Sequence, residues 1–203
     1  MVSDAFRFII PLLIIAVLLF VFGGPWAAAL PLLLAVFVAC FFRNPDRTIP
    51  RGDNVVVSPA DGKIVGISAD GQGSDGQLCL SIFLSIFDVH VNRAPIGGRL
   101  EKLEYVRGKF KAAFDPAASR VNEQNVLTVR GTGATLVMKQ IAGLIARRVV
   151  CWKKPGQELQ RGEVIGLIRF GSRVELILPG NAEIHVRMGE RVKGGSSVIA
   201  ELR

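Results

Sequence analysis

Histidine is scarce in this chain: only His90 and His185 occur in 203 residues. Chemistry that needs several imidazoles around a metal is therefore poorly supplied, and no metal site is expected. Cysteine is almost as sparse. Cys40, Cys79 and Cys151 show no C-x-x-C spacing and are odd in number, so neither a zinc ribbon nor a complete disulfide framework follows from them. They read as reduced, packed thiols, which suit a cytosolic domain better than a secreted one. Zinc-finger, helix-turn-helix and RNA-binding signatures are absent as well, so no nucleic acid partner is expected for a net charge of +8. Finally, charge is missing from one stretch: the 35 residues from Phe8 to Phe42 carry none, and nearly every Lys, Arg, Asp and Glu falls in the 161 residues from Arg43 onward.

That uncharged stretch is two apolar runs, Phe8 to Phe22 and Ala27 to Phe42, separated by Gly23, Gly24, Pro25 and Trp26. Such a cluster of breakers reverses a chain, so residues 1–43 are expected to form a helical hairpin associated with a membrane. Each run reaches about 22 to 24 Å as a helix, short of the roughly 30 Å hydrocarbon core, and thin spanning and re-entrant insertion are both compatible with that length. Arg7 ahead of an apolar run also fits a signal peptide, but the second run follows at once and no small-residue cleavage site intervenes. Arg7 on one flank and Arg43 and Arg47 on the other put both ends on the cytoplasmic side of the cell membrane, where the polar domain is then expected. A basic domain beside an apolar anchor favours anionic lipid as partner, each Lys or Arg near such a surface adding about 1 kcal/mol. Lys109, Lys111, Arg147, Arg148, Lys153 and Lys154 are candidates for that contact, although a solvated charged surface explains any one of them equally well.

Residues 44–53, rich in Pro, Asp and Arg, read as a linker, and residues 54–203 as a single domain of ordinary size. Short β-type runs punctuated by glycine fill it: Asn54 to Val57, Lys63 to Ile67, Leu78 to Phe87, Arg99 to Val106, Asn125 to Val129, Thr135 to Ile141, Leu144 to Val150, Val164 to Ile168, Arg173 to Leu178, Glu183 to Val186 and Val198 to Leu202. Runs this short and frequent predict a mainly β fold, an antiparallel sandwich or barrel of barrel-sandwich type. Leu144 to Val150 is equally compatible with a helix. The Lys- and Ala-rich stretch Lys109 to Ala118, with Phe110 and Phe114, is the expected irregular excursion, a lid or a lipid-facing loop.

Three positions stand out chemically. His90 sits where an apolar strand gives way to the polar loop Asp88-Val89-His90-Val91-Asn92-Arg93, a place that brings functional groups to the rim of a sheet. Alone, a structural hydrogen-bonded histidine explains it better. His185 alternates with Ile184 and Val186 and reads as structural. Asp61 in Ser58-Pro59-Ala60-Asp61-Gly62 is an ordinary turn signal taken by itself. Ser172 follows Gly171 directly ahead of a strand, and a Gly-Ser pair alone means almost nothing.

In combination they mean more. Ser58 to Gly62, the Phe87 to Pro95 loop, Gln140-Ile141-Ala142-Gly143 followed by Ala146-Arg147-Arg148, and Phe170-Gly171-Ser172-Arg173 ahead of an apolar strand ending at Pro179 occur in one order. That pattern, with the Phe42-Arg43-Asn44-Pro45 exit from the apolar hairpin, resembles the phosphatidylserine decarboxylases in their short bacterial form, over essentially the whole chain. The resemblance implies a proenzyme that cleaves itself between Gly171 and Ser172. The Ser172 hydroxyl would attack the Gly171 carbonyl, and the resulting ester would be lost by β-elimination. Dehydroalanine at the new terminus would then lose ammonia to become a covalent pyruvoyl cofactor. A β chain of residues 1–171 and an α chain of 32 residues, 172–203, would remain together as a heterodimer. Gly194-Gly195-Ser196-Ser197 offers a second Gly-Ser bond, but it reads as a turn rather than the start of an apolar strand.

The resemblance further implies that the Ser172-derived ketone takes the amine of the phosphatidylserine headgroup as a Schiff base and serves as electron sink while CO2 leaves, giving phosphatidylethanolamine. By position Asp61 would orient or charge-stabilise a base, and His90 would move protons. Longer members of the family carry a second histidine where this chain has Arg93. His90 is therefore expected to serve both maturation and turnover, and Arg93 to bind a phosphate or carboxylate bidentately. Two other readings fit the residues: a pyruvoyl decarboxylase of a different aminophospholipid, and a non-enzymatic membrane-tethered barrel-sandwich adaptor.

Overall fold

The computed structural model describes residues 1–69, 76–144, 148–169 and 171–203. Ile145, Ala146, Arg147 and Phe170, which belong to motifs or surface patches singled out above, lie outside the described residues. The chain divides into two compact units, Met1–Asp46 and Arg47–Arg203.

The first unit opens with a short 3-10 turn, Ser3–Ala5, and continues as the helical segment α1, Phe6–Phe41. Gly24 interrupts the helix at φ 79°, ψ −177°, a conformation open to glycine because no Cβ is present, and Pro25 starts the second arm, where its missing N–H costs nothing. The chain reverses there. The Phe8 ring stacks on Phe42 at 5.7 Å between centroids, and the Val2 N–H donates to the Phe42 carbonyl at 3.1 Å. Small side chains let the arms approach: Ala16, Ala28, Pro31, Ala35 and Val38 are buried, the last four at spacings of three or four residues that keep them on one helix face. The opposite faces are apolar and exposed, ending in Phe22 and Trp26 at the tip. Taken as one segment, Ser3–Phe41 is long and apolar enough to cross a membrane, but the reversal at Gly24 divides that length between two arms.

The second unit is built of antiparallel ladders. Its strands are β1 Val55–Val57, β2 Gly62–Ala69, β3 Leu78–Leu84, β4 Val91–Arg93, β5 Gly98–Val106, β6 Gln124–Arg130, β7 Thr135–Ala142, β8 Val149–Cys151, β9 Glu158–Leu159, β10 Val164–Ile168, β11 Ser172–Leu178, β12 Glu183–Ile184, β13 Arg191–Val192 and β14 Val198–Glu201. An eight-stranded sheet runs β13-β2-β3-β11-β7-β6-β5-β9, and two three-stranded sheets, β1-β14-β12 and β4-β10-β8, complete the fold. Leu80, Ile82 and Leu84, Leu136 and Met138, Leu127 and Val129, and Val174, Leu176 and Leu178 recur at period two, so one face of the large sheet is continuously apolar. That face shares a single core with Val56 and Ile199 of one small sheet and Ile165 and Ile168 of the other. The mainly β, antiparallel architecture expected from the short runs is therefore the one observed.

Differences are local. Of the described residues in the run Leu144 to Val150, only Val149 and Val150 are strand, in β8. The loop around His90 contains β4, and β9 and β13 are two-residue strands too short for a periodic signal. Between β5 and β6 the chain is irregular as far as Ala117, then makes the single helical turn α2, Ala118–Val121. Asn122 fastens this excursion. Its buried amide donates to the carbonyls of Lys111 and Ala142, both at 2.8 Å, and its oxygen accepts the Lys111 N–H at 2.8 Å. Asn122→Ala leaves one buried and two part-buried backbone groups without these partners and is expected to lower unfolding free energy by about 1–3 kcal/mol, read from urea denaturation, with faster proteolysis at residues 109–117.

Candidate active site

Residues 81 positions apart meet at the start of β11. Ser172 is its first residue, wedged between two strands, with Leu84 of β3 on one side and Ala142 of β7 on the other. That register fixes the backbone from Ser172 onward, while Gly171, immediately before it, turns through φ 67°, a left-handed conformation that suits glycine. Ser172 is fully buried, and its Oγ has no hydrogen-bond partner. Burying a hydroxyl unpaired costs about 1–3 kcal/mol, which marks the group as one whose position serves something other than stability.

His90 approaches from the loop between β3 and β4 and is 1% exposed. Its Nδ1 lies 3.0 Å from the Asp88 carbonyl oxygen, which only accepts, so Nδ1 carries the proton. Nε2 then presents a lone pair, and it accepts the Gly171 N–H at 3.2 Å. The tautomer suited to a base is thus set by two backbone groups. Asp88 is itself held: its carboxylate accepts the Ser85 N–H and hydroxyl, each at 2.8 Å, and pairs with Arg191.

Gly143 completes the surroundings of the Gly171–Ser172 bond. A Cβ built on Gly143 would collide with the carbonyl oxygen of Gly171, lie 3.1 Å from its carbon, and stand 3.3 Å from the Ala113 Cβ. The Gly171 carbonyl therefore rests against bare backbone. Behind it a buried polar chain ties strands together: Asn125 Nδ2 donates to Gln140 Oε1 at 3.0 Å, and Gln140 Nε2 donates to Asn92 Oδ1 at 2.9 Å. Asn92 lies two residues beyond His90, so this chain anchors the histidine loop to β7.

Asp61 is placed in a second cluster. Arg47 Nη2 donates to both its oxygens, at 2.9 and 2.7 Å, and the Gly194 N–H donates to Oδ1 at 2.8 Å. Arg93 spends one donor on the Gly162 carbonyl at 2.9 Å, and its stem passes beside Gly195. Gly194 to Ser197 is a turn with Gly195 at φ 79°, tied by the Gly195 N–H to Ser58 O at 2.8 Å. His185 donates its N–H to the Ile199 carbonyl at 3.0 Å in the β12 region. The structure thus brings His90, Gly171 and Ser172 together, and groups Asp61 with Arg47 and Gly194. Sequence reasoning assigned Asp88 and Gly143 no role beyond membership of a motif, and Arg47 none beyond flanking the hairpin. The Ser85-x-x-Asp88 spacing was a legible turn signal for the first, whereas nothing local marks the other two.

A buried, unpartnered hydroxyl thus follows a glycine in the left-handed region whose N–H meets an imidazole nitrogen, and the sequence relatives belong to one class, the decarboxylases. Residues 34–200 match the family model described as phosphatidylserine decarboxylase. The chain is 49% identical over 199 residues to the phosphatidylserine decarboxylase proenzyme of Solibacter usitatus, covering 98% of this chain and 95% of that one. Proteins of the same name from Syntrophus aciditrophicus and Cupriavidus taiwanensis are 46% and 41% identical, covering 85% and 98% of this chain and 83% and 94% of theirs. The chain belongs to the phosphatidylserine decarboxylase family.

Proposed function

We propose that the chain cleaves itself between Gly171 and Ser172 and then decarboxylates phosphatidylserine to phosphatidylethanolamine and CO2, using a pyruvoyl group made from Ser172. The observation that carries this reading is the Ser172 hydroxyl, fully buried and unpartnered beside a glycine whose carbonyl rests against the bare backbone of Gly143. In maturation the Ser172 oxygen bonds to the Gly171 carbonyl carbon as the Gly171–Ser172 C–N bond breaks. β-Elimination then breaks the Ser172 Cβ–O bond and leaves Gly171 as a carboxylate. Hydrolysis of the remaining enamine releases ammonia. His90 Nε2 serves as the proton acceptor for this sequence, and the Asp88 carbonyl, holding Nδ1–H, keeps Nε2 turned toward the bond. The residues fit the group: Ser172 supplies its atoms, and its burial between β3 and β7 holds it out of bulk solvent. When formed, the pyruvoyl ketone supplies an electrophile for the substrate amine and an electron sink for the departing CO2.

Residues 1–171 and 172–203 stay together as β and α chains because β11 hydrogen-bonds to β3 and β7, both in the larger fragment. Asp61 acts as a positioning residue, its Arg47 pair gripping the Gly194 turn of the smaller fragment. Arg93, whose stem passes beside Gly195 in the smaller fragment, is assigned to the substrate phosphate or carboxylate. The apolar hairpin holds the protein to the inner membrane, and Arg7, Arg43 and Arg47 at its two ends favour the cytoplasmic face.

Intact mass of the purified protein tests the reading directly. Two species are expected, residues 1–171 with a free carboxylate and residues 172–203 lighter than the plain peptide by one ammonia and reactive toward hydrazine. A single uncut mass sinks it. His90→Ala is expected to accumulate as uncut chain on a denaturing gel. Cleavage at the parental rate would remove His90 from maturation.

A further inference from the structure

The segment that begins at Ser172 meets the histidine loop twice. β11 brings Ser172 between β3 and β7, and further along β13 brings Arg191 to the same end of the large sheet. The register fixes its place: Arg191 pairs with Lys63, Lys63 with Phe83 and Phe83 with Arg173, so Arg191 lies in the cross-strand row next to that of Ser172. Lys63, directly opposite, is a like charge, which favours an arginine that reaches away from it. Arg191 Nη2 leaves the row and pairs with Asp88 Oδ1. The arginine side chain is 65% exposed, whereas that of Asp88 is 10% exposed, so a solvated cation neutralises a carboxylate that is largely buried.

Asp88 passes that restraint to the imidazole. Its Oδ2 accepts the Ser85 N–H and hydroxyl, and its own N–H donates to the Ser85 carbonyl at 3.0 Å, which ties one side of the residue to the end of β3. Oδ1 is tied to β13 through Arg191. The backbone carbonyl, held between these two anchors, takes the His90 Nδ1–H at 3.0 Å, and Nε2 meets the Gly171 N–H at 3.2 Å. In a Ser-His-Asp triad a carboxylate holds the imidazole. Here the Asp88 carboxylate is spent on Ser85 and Arg191, and the carbonyl of the same residue does the holding. We infer that Arg191 is a positioning residue for His90, acting through Asp88. The smaller fragment then supplies both the reactive Ser172 and the charge that aims the proton acceptor at the bond to be cut. The inference rests on His90 serving as proton acceptor in self-cleavage.

The test follows uncut chain over time after cell-free synthesis of the full-length protein in detergent micelles. Arg191→Gln is expected to slow cleavage about tenfold, because the aspartate loses one of its two anchors and Nε2 drifts from the bond. Its urea midpoint should match the parent's, since β13 is held without the side chain: the Ile64 N–H donates to the Glu190 carbonyl at 2.8 Å, and Val192 is 3% exposed. Arg191→Lys should cleave within about threefold of the parent, because a single nitrogen makes the contact with Oδ1. In an Asp88→Asn background, Arg191→Gln should cause no further slowing. Arg203→Gln, which breaks the exposed Arg203–Glu183 pair of the same fragment, is the control and should cleave as the parent does. Parental cleavage by Arg191→Gln overturns the inference. So does slowing that Lys does not relieve, that persists in the Asp88→Asn background, or that tracks a lowered urea midpoint. A raised KM for phosphatidylserine with cleavage at the parental rate overturns it too, making Arg191 a lipid contact. A parent that never cuts itself defeats the proposed function, whereas a parent that cuts no faster than Arg191→Gln defeats this inference alone.

Discussion

Ser172→Ala is expected to accumulate as one uncut chain of 203 residues that releases no CO2 from phosphatidylserine, while folding as well as the parent. The two halves of that expectation come from the same atom. Oγ is the nucleophile of the proposed cleavage and the oxygen that Gly171 keeps as its new carboxylate, so no route to a pyruvoyl group survives its removal. Yet Oγ makes no hydrogen bond in the folded chain, and the residue is fully buried. Removing an unsatisfied buried hydroxyl leaves no partner stranded, and the ladder from Ser172 to Leu84 and Ala142 is made by backbone alone. Stability should hold within about 1 kcal/mol, or rise slightly. A denaturing gel, intact mass and a urea melt read the outcome together. An uncut chain with an unchanged melt is the expected pair, whereas cleavage of this variant would place the reaction at another bond, Gly195–Ser196 being the obvious one.

The sheet was readable in the sequence because burial of one face imposes period two, as in Thr135 to Ile141, whereas Val164 to Ile168 was readable as a short apolar run buried throughout. The hairpin was readable because Gly24 and Pro25 cannot both sit inside a straight helix. What escaped were features defined by partners distant in the chain. β4, β9 and β13 are strands only because β10, β5 and β2 lie beside them. The identity of His90 as a residue facing Gly171 across 81 positions came from likeness to a family, since nothing in Asp88-Val89-His90 says what its imidazole will touch. Asp61 read as a turn and as a candidate charge partner, but its actual counterion, Arg47, lay in what looked like a linker. Gly143 was visible as part of a motif and mute as to cause, because a glycine's role depends on what approaches the missing side chain.

That cause yields a second large effect. Gly143→Ala introduces a Cβ that cannot coexist with the Gly171 carbonyl oxygen as placed, and that meets the Ala113 Cβ at 3.3 Å. Gly143 has little freedom to retreat. Its neighbour Ala142 is pinned on both sides, its N–H to the Glu123 carbonyl at 2.9 Å and its carbonyl to Asn122 at 2.8 Å. The Gly171 carbonyl is the softer partner, since it precedes the first ladder residue and sits at a glycine φ of 67°. It should move by about 1 Å, away from the attacking hydroxyl and out of line with His90, and a displacement of that size costs roughly a hundredfold in rate for an oriented intramolecular reaction. Stability should fall by only about 1–3 kcal/mol, the usual cost of overpacking, leaving the domain folded. Gly97→Ala is the matched control: its Cβ would meet nothing nearer than 3.6 Å, and its cleavage should run at the parental rate. A time course of uncut chain after synthesis, with urea melts of both variants, separates steric displacement of the carbonyl from general damage. Should folded Gly143→Ala cleave as fast as the control, the Gly171 carbonyl is not held where the reaction needs it, and contact with bare backbone at Gly143 has no part in setting the geometry of attack.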